Sequence, residues 1–235
     1  MADVTHIESR LRELSDRQRA EALQRFFKTG PGEYGEGDVF LGIRVPKLRE
    51  LAKEYESIGI HGAVTLLRSP VHEQRLLSLL ILVRIYSKGD QAVKERVYDI
   101  YLEHSEFVNN WDLVDTTAPH IVGRHLLDRD KGPLYVLARS PSLWERRIAV
   151  VSTLWFIRKG HHSETFRIGE ILLLDKEDLI HKAVGWMLRE VGKRDGRALE
   201  GFLKAHYGNL PRTTLRYAIE RFPEPRRRRF LKGDF

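Results

Sequence analysis

Ser69-Pro-Val-His-Glu-Gln-Arg-Leu-Leu-Ser-Leu-Leu-Ile-Leu-Val-Arg-Ile-Tyr-Ser-Lys-Gly89 aligns without gaps on Ser140-Pro-Ser-Leu-Trp-Glu-Arg-Arg-Ile-Ala-Val-Val-Ser-Thr-Leu-Trp-Phe-Ile-Arg-Lys-Gly160, an offset of 71 residues. Both copies open on Ser-Pro, run through a long apolar block and close on Lys-Gly. Residues 144–160 align in turn with 180–196, an offset of 36. A period near 36, with two helices in each unit, reads as a helical solenoid of the HEAT or armadillo kind. The competing reading is an ordinary helical bundle with coincidental internal similarity.

Apolar residues recur at i, i+3 and i+4 from end to end, and alternating strand patterns are missing. Helices are predicted over 5–14, 16–28, 46–56, 58–67, 70–88, 90–104, 111–127, 131–139, 142–159, 162–174, 177–193, 196–206 and 211–222. Most prolines fall near predicted starts, where the missing N–H costs little. Pro119 falls inside the 111–127 segment and predicts a kink there. Gly89, Gly160 and Gly196 are expected as C-terminal caps. The glycine-rich stretch 29–38 has no Lys-Ser/Thr and follows no strand, so it reads as a flexible connector and not a phosphate loop.

A chain of 235 residues with 42% hydrophobic content suits one large domain or a repeat array, here a single domain over 1–235. The longest apolar run, 76–83, is too short to span a bilayer and is followed by Arg84. The segment Met1-Ala-Asp-Val-Thr-His6 has no apolar signal core, so the expected location is cytoplasmic, with no membrane partner. With no cysteine, the chain has no disulfides, no Cys-ligated zinc and no cysteine nucleophile.

Charge separates along the chain. Residues 1–120 carry 16 Lys+Arg against 19 Asp+Glu, and residues 121–235 carry 24 against 14. The second half is therefore basic by ten charges, and the pI is near 9.6. Such a half suits a polyanion, most simply nucleic acid, although a solvated basic surface is the alternative.

Trp111-Asp-Leu-Val-Asp115 places an indole and a carboxylate four residues apart, on one helical face. That pair suits chemistry in which positive charge develops on a sugar or base; otherwise Trp111 is core and Asp115 a surface or capping acid. Steps of 36 from Trp111 reach Arg75 and Arg147, and a further step reaches Ala183, one turn before Trp186. Arg75, Trp111, Asp115, Arg147 and Trp186 are thus expected as a stripe on the inner helices, arginine for phosphate and indole for sugar or base. Trp186 lies among Ala183, Val184, Met187 and Leu188 and reads equally as core.

At these residues the chain resembles the AlkD family of alkylpurine DNA glycosylases. The matching stretches are Phe40-Leu-Gly-Ile-Arg-Val-Pro46, Trp111-Asp-Leu-Val-Asp115, Trp144-Glu-Arg-Arg-Ile-Ala149 and Ile180-His-Lys-Ala-Val-Gly-Trp-Met-Leu-Arg-Glu190. The likeness spans most of the chain and is weakest before residue 40 and after residue 220. It implies an all-α, right-handed superhelical solenoid of HEAT-like repeats with a basic concave surface facing duplex DNA. It also implies a monomeric hydrolase that releases cationic alkylpurines such as 3-methyladenine and 7-methylguanine. No cofactor or metal is implied, and the family does not need to flip the base into a pocket. By position, Asp115 matches the catalytic carboxylate, Trp111 and Trp186 the indoles flanking the lesion, and Arg147 the arginine near the DNA backbone. Where the family has a Tyr in its second helix, Phe26 is the closest match here: the ring is kept and the hydroxyl lost. Arg75, Lys182 and Arg189 complete the expected DNA contacts.

N3- or N7-alkylation makes the purine a cationic leaving group, so one carboxylate suffices where ordinary glycosidases need two. No amine with a lowered pKa is evident; Lys182 sits beside His181 without visible activation, which favours plain hydrolysis over a lyase step. His161-His162 reads as a surface loop, because adjacent residues face different ways and no third ligand is apparent. The basic tail 223–235, with Arg226-Arg-Arg-Arg229, reads either as a clamp on phosphates or as a solvated terminus. Two rival functions remain at this level: a non-catalytic DNA binder for damaged or branched DNA, and a protein-interaction scaffold.

Overall fold

The computed structural model describes residues 3–234, and these are mostly helical, with a single isolated bridge between Val39 and Val71 and no strand among them. The chain forms two compact units, residues 1–117 and 118–235. No helix among the described residues is long and apolar enough to cross a membrane.

The first unit is organised around the helix His72–Lys88, which is buried along most of its length. Its apolar run from Leu76 to Leu82 covers every face, so it behaves as a core helix and not as an amphipathic one. Val45–Glu54, Gly59–Leu67, Gln91–Glu103 and Trp111–Thr117 pack on it. The second unit has the same plan: Leu143–Arg158 is its buried central helix, flanked by Ser163–Leu172 and Asp178–Gly192. These two central helices are the two halves of the gap-free internal alignment. Asp178–Gly192 in turn carries Gly196–His206 and Arg212–Ala218. Side chains of Asp3, Asp16, Asp90, Ser142 and Asp195 cap helix starts by accepting the backbone N–H three residues on.

Four details depart from the sequence reading. The segment expected as one kinked helix over 111–127 is three pieces: Trp111–Thr117, a π-helical turn Pro119–Gly123, and Arg124–Leu126. Pro119 lacks an N–H and resets the ladder to the wider bond from Gly123 N–H to Ala118 C=O, 2.9 Å. Gly123 lies so close to Leu143–Arg158 that a Cβ there would stand 2.2 Å from the Ser152 carbonyl oxygen. Of the three expected glycine caps, Gly160 has the left-handed conformation (φ 84°), Gly89 is extended (φ −67°), and Gly196 begins a helix capped by Asp195.

The connector 29–38 is a tight series of turns and not a loose link. Glu33 and Glu36 side chains accept the Gly30 and Gly32 amides at 2.9 and 2.8 Å, and Gly35 N–H bonds back to Lys28 C=O. The basic tail is a further helix, Glu224–Lys232, anchored by Phe230, which is 2% exposed.

Candidate active site

Trp111–Thr117 is a short helix whose first amide is satisfied by the side chain of buried Asn110, at 2.8 Å from Oδ1 to Trp111 N. Its buried face is Leu113, Val114 and Thr117, and Thr117 Oγ1 meets the Tyr101 hydroxyl at 3.0 Å. Burial and the nearby Asp115 carboxylate hold the Tyr101 phenol neutral by raising its pKa. The other face is half-buried and carries Trp111, Asp112 and Asp115.

That face forms one wall of a pocket of about 500 Å³ within the first unit. Leu23, Phe26, Ile43 and Pro46 supply apolar lining, and Trp111 and Asp115 both reach it. The four-residue spacing read from the sequence therefore does bring indole and carboxylate together. Phe26 is with them: it is 63% exposed and meets Trp111 edge-on at 5.9 Å between ring centroids.

Beside the indole lies a cluster of rings, in which Phe27 also meets His72 directly at 5.3 Å. Trp111 stacks on Phe27 (5.1 Å, 29°), Phe27 on Phe40 (5.1 Å, 11°), and Phe40 on His72 (4.4 Å, 23°). Each such pair is worth about 0.5–1.5 kcal/mol beyond the area it buries. Directly after Arg17–Phe26 and Phe27, Lys28 takes a positive φ of 52° and turns the chain back.

His72 joins these rings to a buried polar cluster. Its Nδ1 lies 3.1 Å from Asp38 and its Nε2 lies 2.8 Å from Asp112. Asp38 also accepts from Arg75 Nη2 at 2.6 Å and from Asn110 Nδ2 at 3.3 Å. Burial alone would raise the Asp38 carboxyl, but the His72 hydrogen bond and the charges of Arg75 and His72 outweigh it and hold its pKa low. For His72, burial works to lower the pKa, and the bonds to Asp112 and Asp38 overcome it, raising it to about 9.

The loop bearing Phe40 is fixed by a second buried carboxylate. Glu73, 2% exposed, accepts the amides of Leu41, Gly42 and Ile43 at 2.9, 2.7 and 3.2 Å. Gly42 has φ 82°, and a Cβ there would lie 2.3 Å from the Asp16 carbonyl oxygen, so only glycine fits.

The expected stripe divides under these facts. Arg75 does not face outward: it is 3% exposed, with its guanidinium on Asp38 and on the Ser69 carbonyl. As a phosphate contact it is corrected to a buried counter-ion. In the second unit Arg147 is 5% exposed and donates to the Leu179 carbonyl, in the first turn of Asp178–Gly192. That helix carries Lys182, Trp186 and Arg189, all half-buried. Lys182 pairs with Asp178 at 2.8 Å, and Arg189 pairs with Glu220. Trp186, which reads from the sequence equally as core or as a contact, is half-buried. In the tail helix Arg226 pairs with Glu200, and Arg228 with Glu224 at 2.9 Å, so part of its charge is already matched.

Asp38, Phe27, His72 and Asp112 were not singled out from the sequence. A signal was present: His72-Glu-Gln-Arg75 puts four polar residues at the start of a helix that is otherwise apolar. The aligned copy has Leu143-Trp-Glu-Arg146 there. Buried polar residues at a helix start need partners, and here the partners bind loops 38–43 and helix Trp111–Thr117.

The family model described as "DNA alkylation repair enzyme" matches residues 7–222. Among solved structures, one described as a predicted DNA alkylation repair enzyme from Enterococcus faecalis superimposes with a TM-score of 0.67. It is 16% identical, and the match covers 89% of this chain and 97% of that one. No curated protein matches. The fold is thus that of the Enterococcus faecalis structure, and by the family match over nearly its whole length, this chain belongs to the DNA alkylation repair enzyme family.

Proposed function

We propose that the chain is a monofunctional DNA glycosylase. Its substrates are cationic alkylpurines such as 3-methyladenine and 7-methylguanine in duplex DNA, and its product is an abasic site. The observation that carries this reading is the joint presence of Trp111 and Asp115 on one wall of an aromatic pocket. Family membership supplies the DNA repair context.

Loss of a cationic purine needs no proton from the protein. As the N-glycosidic bond lengthens, the deoxyribose gains oxocarbenium character, and an ionised Asp115 stabilises that charge and orients the attacking water. Removing one such electrostatic group typically costs a factor of ~10²–10³ in rate. The Trp111 ring face offers a cationic base about 0.5–2 kcal/mol of cation–π attraction. Trp186 is assigned an aromatic contact with the substrate DNA, and Lys182 and Arg189 contacts with phosphate. Arg147 is assigned a supporting role through Leu179 in addition to any phosphate it reaches.

Plain hydrolysis is favoured over lyase chemistry because Lys182 is an ion-paired cation and not a desolvated amine. The test is base release from a duplex containing a single 7-methylguanine, assayed with and without alkali. Base release with strand cleavage only after alkali supports the reading. Tight binding without release of either 7-methylguanine or 3-methyladenine places the chain among non-catalytic DNA binders.

A further inference from the structure

The charge state of His72 follows from its neighbours. Both of its ring nitrogens face carboxylate oxygens, Asp38 at 3.1 Å and Asp112 at 2.8 Å. An ionised carboxylate only accepts, so both nitrogens must donate, and a ring that donates twice is an imidazolium. The other oxygen of each acid is engaged as well. Asp38 has Arg75 at 2.6 Å on its other oxygen, and Asp112 uses its other oxygen to accept the Leu113 amide at 2.9 Å. Arg75 and His72 thus face Asp38 and Asp112 in a nearly dry site, where an unpaired charge would be costly.

This imidazolium joins three separate stretches of chain: the end of the 29–38 turns, its own helix, and the first turn of Trp111–Thr117. It also underlies both of the groups assigned to chemistry. Through Asp112 it holds the turn that leads to Asp115. Through Phe27 it supports the face of Trp111.

We propose that His72 is a positioning residue for this site, clamping the first turn of Trp111–Thr117 through Asp112 and backing Phe27, the ring on which Trp111 stacks. Its effect on catalysis rests on the glycosylase reading; its charge and its clamping do not. Other charges near it are Arg75 and Glu73 on its own helix, Asp38 on the loop, Asp112 and Asp115 on the Trp111 helix, and Arg19 and Arg44 lining the same pocket.

Three measurements test it. Nitrogen-15 NMR of the wild-type imidazole at pH 7 is expected to show both ring nitrogens protonated; a neutral tautomer overturns the clamp. Amide exchange at Leu113 is expected to quicken at least tenfold in His72→Gln relative to wild type, and unchanged protection in the folded variant counts against it. Single-turnover base release by His72→Gln is expected to fall 10–100-fold with duplex Kd within twofold.

Asp112→Asn removes one of the two carboxylates that favour the charged ring. On the same substrate, its alkaline limb of release is expected to lie about one pH unit or more below that of wild type. A limb that does not move contradicts the proposal even if the His72 variants fail to fold. Should wild type release no base, the glycosylase reading fails, and the NMR and exchange results still decide the clamp.

Discussion

Trp111 stacks face to face on Phe27, 5.1 Å between ring centroids and 29° between planes. One indole face is thus committed to protein, and the ring is held rigid at the pocket wall. Phe27→Leu keeps the apolar bulk and removes the stack. Because Phe27 stacks on Phe40 as well, a loss of about 1–3 kcal/mol of stability is expected for the two pairs, read as a lower urea midpoint, together with slower base release. Release at the wild-type rate in the folded variant would show that the indole needs no support from Phe27.

The His72 cluster predicts a pH dependence of stability. The folded pKa is about 9, above the ordinary 6.5, so protonation favours the folded state. The contribution is fully present below about 6.5 and is lost as pH rises through about 9. A shift of this size corresponds to about 3 kcal/mol. Urea unfolding between pH 6 and pH 10 should show this decline, and His72→Phe should flatten it. A wild-type protein equally stable at both ends contradicts the buried charge.

Glu73 holds three consecutive amides of the loop that carries Phe40. In Glu73→Gln the charge is gone and the amide nitrogen meets N–H donors it cannot accept from. Destabilisation of about 3 kcal/mol is expected, measurable by thermal unfolding. A change under about 0.5 kcal/mol would mean that the loop is held by other contacts.

Arg189 is expected to contact phosphate but is already paired with Glu220. Glu220→Gln releases the guanidinium, so duplex affinity should rise about two- to fivefold at low salt, and the gain should shrink as salt is added. No change in affinity would remove Arg189 from the DNA contacts.

Much of this was legible in the sequence because it depends on local period. The 71-residue match marked the two central helices, and i, i+4 spacing joined Trp111 to Asp115. What escaped depends on contacts distant in sequence. Arg75 occupies the expected repeat position, but Asp38, 37 residues earlier, draws its guanidinium into the core. The tail read as a phosphate clamp or a solvated terminus because Arg226–Arg229 dominates its composition, while its helix and the burial of Phe230 went unread. Pro119 correctly signalled a disturbance, but whether it becomes a kink or a π turn depends on Gly123 fitting against Ser152.

The central claim is that Asp115 stabilises charge as the glycosidic bond breaks. Its most direct test is single-turnover release of 7-methylguanine from duplex DNA by wild type and Asp115→Asn, with duplex affinity measured for both. The account predicts release by wild type, a loss of ~10²–10³ in the variant, and affinity essentially preserved. Equal rates for the two proteins would contradict it, leaving Asp115 as an acid on the pocket wall with no part in the chemistry.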